Sequence, residues 1–185
     1  MSWLPKSDNL NNDSVNFLIG EIWMNIFIAN ETDIKELAQV EIESKKQSLA
    51  ECIEDYEIDF PSRINRWKTY FKGQSPQTSK PDRVTLKAVN NDDKIIGYLS
   101  GHLTTRFNLD AEIQSFYILK TEQKKGIGTM LLKEFTKWLE KKNAKSLCVG
   151  FKPENKYKSF YLKHGGQYLN EHWIIWNDIT KLFDR

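Results

Sequence analysis

The sequence predicts an α+β fold on a mixed, mostly antiparallel sheet, with helices on its faces and a parallel pair formed by its fourth and fifth strands. Three observations predict it. Residues 83–89 and 94–103 are strand-like runs joined by the polar turn Asn90-Asn91-Asp92-Asp93, a hairpin signal. Residues 111–119 and 146–151 are strand-like runs separated by the amphipathic stretch 126–142, a strand–helix–strand crossover. Before the hairpin, residues 32–47 carry apolar side chains at helical spacing.

The elements follow in chain order. Residues 1–14, rich in Asn, Asp and Ser, read as a loose arm or cap. Residues 15–19 fit a short helix or an extra strand equally well. Residues 22–29 read as the first strand, with Ile22, Ile26 and Ile28 giving β-branched weight. Thr32 or Asp33 can cap the next helix, whose apolar stripe is Ile34, Leu37, Ala38 and Ile42. Residues 49–60 are acidic and ambiguous. A second helix, 62–72, follows Pro61 with Ile64, Trp67, Tyr70 and Phe71 as its apolar side, and 73–81 reads as a loop. After the hairpin, Ile127, Met130, Leu131, Phe135, Trp138 and Leu139 share one face of the clearest helix. Residues 155–164 make a short helix closed by Gly165-Gly166, and 167–169 with 172–176 a final strand pair. There is no internal repeat, and residues 21–185 read as one domain behind an arm or cap of residues 1–20.

Composition narrows the function classes. The chain has 185 residues, 39% of them hydrophobic and 28% charged, enough for a real core. Lys+Arg 27 against Asp+Glu 25 leaves a net charge of +2, which argues against a nucleic-acid partner. The most apolar early stretch, 15–29, is broken by Gly20, Glu21 and Asn25 and is too short and polar to span a membrane or direct export. Cytoplasm is the expected location. Cys52 and Cys148 have no Cys or His at metal-ligand spacing, so two reduced thiols and no metal are expected.

The chemistry centres on Gln123-Lys124-Lys125-Gly126-Ile127-Gly128-Thr129, which follows a strand and opens a helix. A helix start has amides without internal partners and a partial positive charge, and glycines let the main chain approach a ligand. That suits a phosphate or pyrophosphate. The segment is neither a Walker loop nor the three-glycine dinucleotide fingerprint. Alternatively, Gly126 and Gly128 only permit tight helix–strand packing.

Gln-x-x-Gly-x-Gly in this context resembles the coenzyme A loop of the GCN5-related N-acetyltransferase (GNAT) superfamily. The resemblance extends over most of the chain, through Thr32-Asp33-Ile34-Lys35-Glu36-Leu37, Lys94-Ile95-Ile96-Gly97-Tyr98 and the closing Trp176-Asn177-Asp178-Ile179. It implies a GNAT-like acyl-CoA N-acyltransferase fold and acetyl-CoA as cosubstrate. It further implies that main-chain amides from Lys124 to Thr129 hold the pyrophosphate and that the backbone of Tyr117, Ile118 and Leu119 pairs with the pantetheine arm. Asn155 and Tyr161, in the stretch after the fifth strand, match the family's next motif, which would place Asn155 on the pantetheine arm and Tyr161 near the thioester sulfur.

A departing thiolate must be protonated, and a phenol with a pKa near 10 can donate that proton at neutral pH. Taken singly, Tyr161 also fits a core aromatic and Asn155 a helix cap. Glu112 stands where several family members carry a catalytic glutamate that removes the amine's proton; the bland reading is an exposed edge-strand charge. His102 is the competing base, whereas His164 and His172 read as helix-end and strand residues. The acidic run Glu51, Glu54, Asp55, Glu57 and Asp59 can attract a cationic acceptor, or is simply solvated.

Acetyl transfer to a primary amine by direct attack in a ternary complex is therefore expected, neither cysteine lying in the implied site. Dimers are common in the family, so a homodimer is the assembly it suggests. The rival readings are a non-catalytic acyl-CoA-binding regulatory domain and a nucleotide-binding module.

Overall fold

The computed structural model describes residues 15–19, 22–49 and 59–183, with side-chain surroundings for 24–46 and 59–183. Glu51, Cys52, Glu54, Asp55 and Glu57 lie outside the described residues, as does the arm expected over 1–14.

The strands are β1 (Val15–Ile19), β2 (Ile22–Ile28), β3 (Ser79–Val89), β4 (Ile95–Thr104), β5 (Ala111–Ile118), β6 (Leu147–Gly150), β7 (Gln167–Asn170) and β8 (Trp173–Trp176). They form one sheet in the order β1-β2-β3-β4-β5-β6-β8-β7, antiparallel throughout except for β5 and β6. The mixed sheet and its parallel pair are those expected from the strand–helix–strand crossover. The stretch 15–19 resolves as a strand, paired antiparallel to β2.

Helices α1 (Ile34–Leu49) and α2 (Phe60–Phe71) cover one face. Leu37, Ala38, Trp67, Tyr70 and Tyr98 are buried together there. Helices α3 (Ile127–Lys141) and α4 (Lys158–Lys163) cover the other, where Leu131, Leu132, Phe135 and Leu139 pack on Leu99, Ile113, Leu147 and Ile174. The sheet thus separates two cores, as its two apolar faces require.

Local chemistry corrects several boundaries. Asn30, not Thr32 or Asp33, caps the first helical segment: Asn30 Oδ1 accepts from Thr32 N at 2.8 Å, and Asp33 Oδ2 accepts from Asn30 N at 2.9 Å. The pair is a reciprocal capping box around a single 3-10 turn, Glu31–Asp33, which delays α1 to Ile34. Asp59 caps α2, its carboxylate accepting from Ser62 N at 3.1 Å. β3 starts at Ser79 rather than 83, through a stretch expected to be loop. The β2 pairing reaches only Leu86, so Pro81 sits on a locally free edge, where a missing N–H costs no ladder bond.

One bulge matters for the site. Ser100 pairs with Ser115 and Gly101 with Ile113, leaving Gln114 as the extra residue of β5. Alternation changes phase across it. Ala111 and Ile113 before it, and Phe116 and Ile118 after it, all face the α3 core, whereas Tyr117 and Leu119 face the α1–α2 core.

Candidate active site

The parallel pair is short: Ala111↔Leu147, Glu112↔Cys148 and Ile113↔Val149. Its lower end is clamped. The Asp110 carboxylate accepts from Lys145 N at 2.8 Å, Ser146 N at 3.0 Å and Ser146 Oγ at 3.0 Å, and Ala111 N donates to Ser146 O at 3.2 Å. Burial raises the Asp110 pKa, but these hydrogen bonds outweigh it and hold the carboxyl below its ordinary range.

Above Ile113 the strands part. β5 runs on through residues 114–118 with no further β6 partner, while β6 stops at Gly150. Backbone groups of β5 that point away from β4 are left without a strand partner and are open to an extended ligand arm, except for Ile118 O, which Gln123 takes; Leu119, just beyond, has both its N and O bonded. Tyr117, Ile118 and Leu119 lie on or next to this edge.

The chain then turns through Lys120–Glu122, and Gln123 Nε2 donates to Ile118 O at 3.0 Å, closing the turn. Lys124 (φ 62°) and Gly126 (φ 83°) are left-handed, and Gly126 starts α3 with no side-chain cap. The first amides of α3 therefore face outward without a side-chain acceptor, an anion site at the mouth of the parted strands. The two glycines do different jobs. Gly126 supplies the backbone turn, whereas a Cβ on Gly128 would lie 3.2 Å from Ile118 Cδ1 and 3.3 Å from Phe160 Cε2, so Gly128 lets the helix pack against β5 and α4. Ile127 is buried in the core; Lys125 pairs with Glu122 at 3.1 Å. Thr129 Oγ1 lies 3.3 Å from His164 Nε2, whose other nitrogen meets Phe160 O at 2.8 Å, fastening α3 to α4.

α4 is shorter than the 155–164 expected, because Asn155 Oδ1 accepts from Tyr157 N at 2.8 Å in a turn ahead of it. Tyr161 is 8% exposed, among Phe116, Phe160 and Trp176. Burial pushes its phenol well above the usual range, so it stays protonated at neutral pH.

Glu112 is neither exposed nor on an edge: it is 5% exposed, on an inner strand. Arg106 Nε donates to Glu112 Oε2 at 2.8 Å, and His102 Nε2 lies 3.7 Å from the same oxygen. Burial raises the Glu112 pKa, but the nearby His102 imidazole and the hydrogen bond from Arg106 outweigh it and hold the carboxyl low. His102, the competing base, is fully buried behind Tyr70 of α2. Cys148, beside Glu112 in register, has its thiol pushed up to about 12 by burial and then by the Glu112 carboxylate, which makes it a poor nucleophile.

On the α1–α2 face a cleft opens beside the bulge, lined by Glu41, Arg66, Tyr70, Ser100, Gln114 and Ser115 among others. Sequence reasoning missed these residues. Tyr70 read as one more apolar position of α2, and no local signal marks Gln114 as a bulge. Glu41 is buried and held by Lys45 at 2.6 Å and Arg63 at 3.2 Å. Among the described residues no cluster of three or more His, Cys, Asp or Glu is placed to hold a metal, and no helix is long and apolar enough to cross a membrane.

Comparison with known proteins agrees with this geometry. The chain matches the model of the acetyltransferase (GNAT) family over residues 49–165, more than half its length. Among solved structures, it resembles a GNAT-family acetyltransferase from Staphylococcus aureus (17% identity, 84% of this chain and 99% of that one, TM-score 0.64). It also resembles an acetyltransferase from Thermus thermophilus (19% identity, 83% and 96%, TM-score 0.66). A third is the PaiA N-acetyltransferase from Thermoplasma acidophilum, solved in complex with coenzyme A (23% identity, 82% and 96%, TM-score 0.61). No protein of curated function matches it in sequence. With its parted β5–β6 pair and uncapped α3 start, the chain belongs to the GNAT family of acetyltransferases and is an acyltransferase that uses acyl-CoA.

Proposed function

We propose that the chain transfers an acetyl group from acetyl-CoA to a primary amine, by direct attack in a ternary complex in the cytoplasm. The observation that carries this reading is the outward-facing start of α3 set at the end of the free β5 edge. One feature offers an anion site and the other a backbone ladder, in the order that a pyrophosphate followed by a pantetheine arm requires. Amides of Lys124, Lys125, Gly126, Ile127, Gly128 and Thr129 take the pyrophosphate. Gln123 supports them by holding the turn. The backbone of Tyr117, Ile118 and Leu119 takes the arm, with Asn155 facing it from the turn before α4.

Tyr161 serves as the acid. Its buried, protonated phenol beside Phe116 gives a proton to the departing thiolate. The acceptor enters from the opposite face, through the cleft beside Gln114 and Ser115. Glu112 belongs to the assembly that takes the amine's proton. Binding both substrates on opposite sides of the parted strands supplies the positioning, and no enzyme-bound acyl group is required.

The test is release of free coenzyme A thiol from acetyl-CoA across a panel of amines, with coenzyme A binding followed by thermal shift. Turnover on at least one amine supports the proposal. Tight binding without turnover on any of them would instead favour a regulatory acyl-CoA-binding domain.

A further inference from the structure

Glu112 cannot meet an amine in the cleft directly. It is absent from the cleft wall, it is clamped by Arg106, and two buried side chains lie between it and the acceptor side. Tyr70 lines the cleft. Its hydroxyl donates to Gly101 O at 2.9 Å and lies 3.4 Å from His102 Nδ1. His102 Nε2 has no hydrogen-bond partner among the described residues and lies 3.7 Å from Glu112 Oε2. A buried imidazole nitrogen left over in this way is costly unless it serves a purpose.

We infer that Tyr70, His102 and Glu112 form a proton relay in which Tyr70 is the catalytic group that meets the acceptor amine and His102 receives the proton. This rests on the acetyl-transfer reading above. The carboxylate facing Nε2 selects the neutral tautomer with its proton there, leaving Nδ1 to accept. As the ammonium N–H breaks, Tyr70 Oη takes that proton, and its own O–H, turning from Gly101 O to the imidazole, passes its proton to His102 Nδ1. One N–H and one O–H bond break; one O–H and one N–H bond form. The positive charge moves from the acceptor to the imidazole, where the Glu112 carboxylate stabilises it. After the product leaves, the proton returns to solvent through Tyr70 and the cleft. Glu112 is thus a positioning residue that favours the imidazolium, and its strong ion pair with Arg106 fits that role better than direct proton abstraction.

Other charged groups face the relay. The Arg83 guanidinium of β3 lies 4.9 Å from the Tyr70 ring centroid, and Arg83 pairs in register with His102. Arg106 reaches Glu112 from the turn after β4, and Cys148 of β6 stands beside Glu112 in register. Arg106 keeps Glu112 ionised. Arg83 disfavours a lasting cation on the Tyr70 side, so the proton does not stay.

The test uses the full chain, acetyl-CoA and three acceptors: spermine, free lysine and a short peptide with a free N-terminus. Tyr70→Phe should lower kcat about 10²-fold or more. The KM for acetyl-CoA and the thermal shift given by coenzyme A should stay within about twofold, because the phenol hydroxyl makes no contact on the coenzyme side. His102→Gln should lower kcat and remove the acid limb of kcat against pH, and Glu112→Gln should displace that limb. A purely structural network would lower the melting temperature of these variants and leave the limb in place. Equal kcat and an unmoved limb in Tyr70→Phe and His102→Gln would overturn the relay while leaving acetyl transfer standing. Should Tyr70→Phe not fold, a proton inventory on the wild-type protein decides: a curved dependence on deuterium fraction is expected, and a linear one overturns the relay. Wild-type protein that binds acetyl-CoA yet transfers to none of the amines would break the acetyl-transfer reading, and the relay with it.

Discussion

The two ends of the β5–β6 pair share a strand and do opposite work. At the lower end, the Asp110 carboxylate gathers two amides and a hydroxyl from Lys145 and Ser146, so these polar groups satisfy one another. At the upper end, residues 114–118 of β5 run past the last β6 partner and the start of α3 stands uncapped, so polar backbone is turned outward. A closed end contributes stability. An open end gives up internal hydrogen bonds and gains a place for a ligand to make them. Substitutions should divide accordingly, with upper-end changes affecting turnover and coenzyme binding and lower-end changes affecting folding.

The largest effect is expected at the open end. Tyr161→Phe should reduce turnover about 10²-fold or more with coenzyme A affinity kept, because only the proton donor is removed. Thiol-release kinetics check this, and an unchanged rate would remove Tyr161 from the chemistry. Gly126→Val comes next. A β-branched residue at φ 83° is strained, and its side chain stands where the ligand must approach. Coenzyme A at a hundredfold excess over Kd should stabilise the wild-type protein by about 2.7 kcal/mol and the variant hardly at all. A full thermal shift in the variant would move the anion site elsewhere.

The packed sheet behind the open end answers differently. A Cβ on Gly101 would sit 2.3 Å from Phe135 Cζ and 2.8 Å from Glu112 O, in a tightly packed part of the sheet. Gly101→Ala should therefore cost about 1–3 kcal/mol in urea unfolding with coenzyme A affinity unchanged. A loss of affinity instead would blur the division between the ligand edge and the packed sheet.

Asp110→Ala should cost about 1–2 kcal/mol at pH 7 through its lost hydrogen bonds. Because folding lowers the Asp110 pKa, its contribution is complete above its unfolded value and fades as pH falls through the native one. Wild type and variant should thus converge in stability below about pH 4, the unfolded carboxylate range. A gap that persists in acid would mean that packing rather than charge is lost.

The two ends also differ in how far they could be read in advance. Around α3, Gly126 and the apolar spacing from Ile127 to Leu139 are local signals, and they placed a helix start against a strand before any contact was known. Asn155 and Tyr161 were singled out only through their resemblance to the family's motif after its fifth strand. The lower end and the acceptor side were harder. Asp110 looks like any loop aspartate until Lys145 and Ser146 come beside it. Tyr70 looks like a core position until its hydroxyl is found 2.9 Å from Gly101 O and the residue is found in the wall of a cleft. Glu112 invited the reading of an exposed charge, because burial of a carboxylate depends on Arg106 and His102, which no periodicity couples to it.

By itself the sequence determined the alternation of strands and helices, the crossover that makes β5 and β6 parallel, and the glycine-opened helix start, since each depends on residues close together in the chain. Only the tertiary structure decided where the parallel strands part, which face each residue of β5 takes after the Gln114 bulge, and which side chains meet behind the cleft. Those outcomes rest on register and on contacts between distant segments, where a one-residue shift sends every following side chain to the other face.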